Sequence, residues 1–207
     1  INMNNFHLNI DQTLQGEFIL QDFNFAFVFQ VNCPGCFIYG IPMVNELYKS
    51  LKDHISFIGI ATAFEDFEYN SIDNLHLLLN EGILIGETKK YFAKNGELST
   101  YNHKIDFPVA FDKMVEPEEF FASNQMQLLY EQIPYFDTLS KFQKEEFQDR
   151  IKNHYTSIPK IAETFTINQL RGTPSFIVFD KNKTILGSYF GHFDINEIQE
   201  QLLDLIT

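Results

Sequence analysis

The sequence predicts an α/β fold, and three observations carry that prediction. A strand, a helix and a second strand follow one another within residues 23–62. A strand, a tight turn, another strand and a helix close the chain over residues 175–206. Between them the apolar spacing is mainly helical, apart from one short strand ending at Asp112. The composition supports a packed core rather than disorder, with 44% hydrophobic and 21% charged residues. A length of 207 residues suits one domain, read here as 1–207 with a helical insertion at about 113–159. With 23 Phe, 9 Tyr and no Trp, that core is built largely from phenylalanine.

Phe23 to Val31 (FNFAFVFQV) is a nearly continuous apolar run bounded by Gln21-Asp22 and Asn32, as expected of a strand buried on both faces. Pro34-Gly35 ends it. In the segment FIYGIPMVNELYKSLKD, Val44, Leu47, Tyr48 and Leu51 fall at helical spacing, and Pro42 predicts an early kink. Ile55 to Thr62 is a second buried strand, so residues 23–62 form a right-handed βαβ unit with parallel strands. Helices are predicted over 71–80, stopping at Gly82, and over 87–94, stopping at Asn95-Gly96. Asp106 to Asp112 is a short strand. Lys113 to about Pro159 is largely helical, broken by Pro117, Pro134 and Pro159, with its clearest helix over Thr138 to Tyr155. Ser175 to Asp180, the turn Lys181-Asn182-Lys183, and Thr184 to Phe190 form a hairpin. Asp194 followed by Glu197 has the spacing of a capping box, and Ile195, Ile198, Leu202 and Leu205 form the buried stripe of the last helix.

A net charge of -13 disfavours nucleic acid, which demands clustered Lys and Arg, and disfavours anionic membrane surfaces. No apolar run reaches the roughly 20 residues of a membrane span. No basic, apolar leader opens the chain, so as it stands it is expected to be cytoplasmic; Ile1 in place of Met leaves upstream processing open.

The two cysteines, Cys33 and Cys36, enclose Pro34-Gly35 in a CxxC between the first strand and its helix. A sulfur at a helix N-terminus faces unsatisfied N–H groups and the positive end of the dipole, and both favour thiolate. In such motifs the thiol pKa falls from about 8.5 to between roughly 3.5 and 7.5. Cys33 is therefore expected to be the exposed attacking thiolate. Cys36, one turn inside, resolves the mixed disulfide. Pro34 suits the first helical position, where no N–H is missed. Zinc would need four ligands, and the six scattered His form no H-x₃₋₅-H pair, so neither a metal nor a cofactor is expected. A structural or inert pair is the other reading. Arg171-Gly172-Thr173-Pro174 leads directly into the strand SFIVFD; its X–Pro bond is either an ordinary trans turn or a cis bond.

CPGC after a buried strand, then Gly172-Thr173-Pro174 before a hairpin and a terminal helix, resembles the thioredoxin superfamily, in particular the redoxin branch of TlpA/ResA-type proteins and peroxiredoxins. The likeness covers roughly 23–63, 107–112 and 165–206. It implies a thioredoxin-like fold, a central mixed β-sheet flanked by helices, here carrying a helical insertion. It implies that Pro174 is cis beside the CPGC, and that the backbone of Thr173 pairs with an extended substrate segment, with Pro34 and Gly35 also facing substrate. The implied activity is thiol–disulfide oxidoreduction on protein or small-molecule disulfides, served by a thiol-based electron donor; exported relatives make an exported location the alternative. The chain departs from thioredoxins proper in three places. Asn32 replaces a Trp, Phe27 replaces a buried acid, and the dipeptide is Pro-Gly rather than Gly-Pro. A carboxylate assisting Cys36 would come from elsewhere, with Glu65 and Asp66 as candidates. Two rivals remain. A peroxiredoxin places Pro and Thr ahead of its cysteine as PxxxTxxC, where this chain has Ala26 and Gln30. The other is a redox-inert binding module. The insertion's aromatics (Phe120, Phe121, Tyr130, Tyr135, Phe136, Phe142, Phe147 and Tyr155) are expected to pack it onto the main sheet, with a substrate groove or dimer face as the alternative.

Overall fold

The structure, a computed structural model, describes residues 5–96 and 100–207; Ile1 lies outside the described residues. Phenylalanine alternation organises the centre. In β2 (Phe23–Phe29), Phe25, Phe27 and Phe29 face one side while Ala26 and Val28 face the other, and both sides are buried. The period of two in a run with no polar alternation demands cover on both faces. One face carries α1 (Ile41–Leu51), α2 (Ile72–Glu81), α3 (Gly86–Lys94) and α8 (Ile195–Ile206). The other meets Phe6 and the Phe165 and Leu170 side chains.

The six-stranded sheet has the order β1-β4-β3-β2-β7-β8. β2 runs parallel to β3 (Ser56–Ala61), with Phe25 opposite Phe57, and β3 runs parallel to β4 (Val109–Asp112). β7 (Ser175–Asp180) is antiparallel to β2 and forms the expected hairpin with β8 (Ile185–Phe190). The predicted parallel βαβ unit and terminal hairpin thus meet at the β2–β7 pair. β1 (Ile10–Gln15), antiparallel to β4, has no counterpart in the sequence reading. Its run IDQTLQ is mostly polar because it is an edge strand, held by backbone pairing rather than by a buried face.

Three elements differ locally from expectation. Residues after Cys36 open with a π-turn, Cys36–Gly40, in which the Ile41 N–H donates to Cys36 O five residues back; α1 follows with Pro42 in its first turn. Proline has no N–H to close an α-type bond to residue 38, and the wider turn absorbs the loss. The Asp194 side chain accepts from Asn196 N, two residues on, so the expected capping box does not form. A capping box does form at Ser140–Gln143, at the start of α6 (Lys141–Thr156).

The insertion leaves and rejoins through a two-stranded neck, β5 (Met114–Val115) against β6 (Ile161–Ala162). Its helices α4 (Pro117–Ala122), α5 (Gln125–Glu131) and α6 gather their own cluster around Phe120, Leu129 and Tyr130. That corrects the expectation that its aromatics pack on the main sheet. They pack on one another and on α7 (Glu163–Ile167), through Ile167, while Tyr135 and Phe142 are 80% and 73% exposed. The insertion is long enough to bury its apolar side chains within itself, and α7 is the intermediary to the sheet.

Candidate active site

The parallel strands β2, β3 and β4 end along one edge of the sheet, and the candidate site is built there. Pro34 and Gly35 are already helical, so Cys33 stands at the junction where β2's run passes into the helix. Cys33, Pro34 and Gly35 are half-buried, whereas Cys36 is fully buried in the Phe-rich core. The two cysteines are disulfide-bonded. The Cys36 N–H reaches Cys33 Sγ at 3.3 Å. On reduction that N–H faces the sulfur where negative charge would sit, and Pro34 contributes none of its own.

The loop before β7 closes over the disulfide. The Thr173–Pro174 bond is cis. The Thr173 carbonyl oxygen lies 3.6 Å from Cys33 Sγ. Pro174 is buried against the first turns of the helix: a Cβ on Gly35 would meet its Cδ at 3.9 Å, and one on Gly40 would meet its Cβ at 3.6 Å. The loop is anchored from below, where Ser175 Oγ donates to Gly172 O and Gly191 N donates to Pro174 O. Two distant motifs, CPGC and GTP, are thus one constellation. Phe190, 50% exposed, lies against Gly172, and Tyr39, 43% exposed, stacks on His192 at 3.9 Å. Neither the Phe190 nor the Tyr39 ring stands out in the sequence; their signal is an apolar residue at a position that the hairpin or the helix leaves facing solvent.

The residues leading to Cys33 are held by side chains from two other segments. Asn32 Oδ1 accepts from Glu87 N at 2.7 Å, capping α3 from outside, and its Nδ2 donates to Asp66 Oδ2 at 2.9 Å. Gly86, at φ +52°, allows this approach, since any Cβ there would run into Asn32 Oδ1. The Asn32 N–H donates to Asn70 Oδ1, and Asn70 Nδ2 donates to Gln30 Oε1, which also accepts from Phe64 N. Thr88 Oγ1 donates to Val31 O. Asn32 therefore fastens the entry strand to α3. The Gln30 amide oxygen is taken up by Phe64 N and Asn70. Asp66 directs its carboxylate to Asn32, and Glu65 is exposed.

The buried acid at this edge is Asp112, at the end of β4. It accepts from Thr164 N and Phe165 N, at 2.8 and 3.1 Å, and from Thr62 Oγ1 at 2.7 Å. Burial outweighs these hydrogen bonds and raises its pKa to about 6. Asp112 ties the ends of β3 and β4 to α7, whose chain continues into Arg171–Pro174. It sits two strands from β2, roughly 10 Å at normal strand spacing. Phe27, where thioredoxins proper hold an acid, stacks between Phe29 and Phe176 beneath Gly40. Among the described residues no His, Cys, Asp and Glu group of three or more is arranged to hold a metal ion.

No protein-family model and no curated protein matches the chain. Solved structures do. A thiol-disulfide isomerase from Corynebacterium glutamicum matches with a TM-score of 0.59 at 20% identity, covering 100% of this chain and 97% of that one. A thioredoxin-like superfamily protein matches at 0.56 and 19%, over 96% and 93%. The fold is thioredoxin-like. A further thioredoxin-like protein, solved in its oxidised form, matches at 0.51 and 10% identity, over 98% and 93%. In thioredoxin-like terms, CPGC occupies the β2–helix junction and Thr173-Pro174 the loop facing it, while the insertion hangs between β5 and β6. Among the described residues no helix is long and apolar enough to cross a membrane.

Proposed function

We propose that this chain is a thiol–disulfide oxidoreductase in which Cys33 attacks and Cys36 resolves. Residues 1–207 act as one domain, with the insertion at about 113–159 as its accessory. The observation that carries the reading is the contact between a half-buried Cys33, disulfide-linked to a buried Cys36, and the Thr173 carbonyl beside cis-Pro174. In the reducing direction, the Cys33 thiolate attacks one sulfur of a substrate disulfide and expels the other as a thiolate. Cys36, losing its proton, then attacks Cys33 and releases the first substrate sulfur. The substrate gains two electrons and two protons, and the protein holds the Cys33–Cys36 disulfide until a thiol donor reduces it. Pro34, Gly35, Pro174 and the Thr173 backbone form the surface against which the substrate segment lies.

The test is trapping. Reduced Cys36→Ser, mixed with a disulfide-bearing polypeptide, accumulates a dithiothreitol-sensitive mixed disulfide through Cys33, while Cys33→Ser does not. Equal adducts in both variants, or none in either, would sink the assignment. The equilibrium potential of the pair in glutathione buffers then tells reductant from oxidant and indicates the compartment. Peroxide chemistry is disfavoured, because Gln30 and Ala26 stand where a peroxiredoxin has its Thr and Pro, and the Gln30 amide oxygen is occupied.

A further inference from the structure

The Phe64 ring stacks on Phe165 at 4.2 Å, almost parallel, and the pair forms one wall of a cleft of about 540 Å³. Leu170 extends that wall. The opposite wall comes from the insertion: Leu129 of α5 with Phe147 and Ile151 of α6. His154, Lys160 and Gln169 at its margins are exposed. An apolar floor with a polar margin is the anatomy of a binding patch, and this volume falls in the range of ligand sites. No residue of α6 is fully buried, so the helix presents Phe147 and Ile151 to the cleft without sealing it.

Two residues that line the cleft are tied to the disulfide site, whose own residues do not line it. Phe64 N donates to Gln30 Oε1, three residues before Cys33. Leu170 is three residues before Thr173, whose carbonyl touches Cys33 Sγ. Three residues span at most about 11 Å, so the edge of the cleft lies within that distance of the Thr173 backbone. A strand rises about 3.3 Å per residue, so a substrate segment extended along Thr173 would bring a side chain two to four residues from its cysteine to the cleft.

We propose that the insertion makes this cleft a side-chain pocket for the polypeptide substrate, selecting disulfides that have a bulky apolar residue two to four positions from the attacked cysteine. The proposal rests on the disulfide chemistry assigned above and names its substrate class: extended, apolar polypeptide rather than small disulfides or folded polar surfaces. The pocket adds binding and leaves the exchange chemistry as written for Cys33 and Cys36.

The experiment uses the full-length reduced protein and three oxidants. Two are synthetic peptides with the same disulfide, one flanked on both sides by Leu-Phe at the third and fourth positions and the other by Gly-Ser; the third is glutathione disulfide. Burying a Phe ring predicts a second-order rate at least tenfold higher for the Leu-Phe peptide than for the Gly-Ser peptide. Ile158 also lines the cleft. Ile151→Glu places a charge there, and Ile158→Trp fills it; in each the ratio falls to about one. Because the ratio is taken within each variant, a general loss of activity does not imitate the result, and the filling variant guards against misfolding of the charged one. A wild-type ratio near one overturns the proposal in favour of another occupant, such as a small apolar ligand or a second copy of the chain. So does a tenfold ratio that survives in both variants. Failure to react with all three oxidants would instead remove the disulfide chemistry itself.

Discussion

Asp112 shows how one side chain couples burial, charge and the position of the loop that faces the disulfide. Its carboxylate holds the first N–H groups of α7, and α7 sets the start of the segment that ends at Pro174. Raised to about 6, its pKa makes stability depend on pH in a defined direction. A carboxyl whose folded pKa is raised stabilises the fold fully below its unfolded value, and that contribution is lost as pH rises through the folded value. Asp112→Asn cannot ionise and presents an NH₂ to groups that are themselves donors. It is expected to be less stable than wild type at pH 4, with the gap narrowing between pH 4 and 7 by on the order of 3 kcal/mol at most. Urea denaturation at both pH values measures it, and a gap that widens with pH contradicts the assignment. Glu163, also raised by burial, contributes with the same sign in both proteins, so the difference isolates Asp112.

At the scale of the element, the π-turn Cys36–Gly40 shows why an apolar strand and a helix meet so closely under the disulfide. Phe27 is locked between Phe29 and Phe176, and a Cβ on Gly40 would stand 2.8 Å from its ring. A glycine in an exposed helix normally costs up to about 1 kcal/mol against alanine. Here the balance reverses, because the ring has no room to retreat. Gly40→Ala is expected to destabilise by about 1–3 kcal/mol, the usual cost of overpacking, and to loosen the contact of the turn with Pro174. Chemical denaturation of the oxidised protein reads the sign; stabilisation would mean the ring gives way. The same crowding explains why the start of this helix was not legible. Pro42 announced a break, but whether it gives a kink, a late start or a π-turn depends on what lies beneath.

At the scale of the molecule, a net charge of -13 acts on the whole fold. The five ion pairs among the described residues have at least one exposed partner, so they offset little of the mutual repulsion. The Debye length falls from about 30 Å at 0.01 M salt to about 8 Å at 0.15 M, from longer to shorter than the radius of gyration of about 17 Å expected at this length. The melting temperature is expected to rise over that interval, and calorimetry showing a fall would mean that attractive pairs dominate. Much of the architecture was legible because it is written in local patterns. Continuous apolar runs identified β2, β3 and β7, Gly82 and Asn95 closed their helices, and the CxxC marked where the candidate site would be. The sequence by itself determined the α/β class, the parallel unit, the terminal hairpin and the placing of Cys33 at a strand–helix junction with Cys36 more deeply buried behind it. Only the tertiary structure decided that polar IDQTLQ is an edge strand, that Asn32 and not a tryptophan secures the entry to Cys33, that Asp112 is the buried acid, and that the insertion keeps its own core and leaves a cleft beside the site. The physical reason is common to all four: each depends on packing partners outside its own local stretch, such as Glu87 for Asn32, Thr164 for Asp112 and Tyr155 for Phe120, and a local pattern carries no record of what it will be packed against.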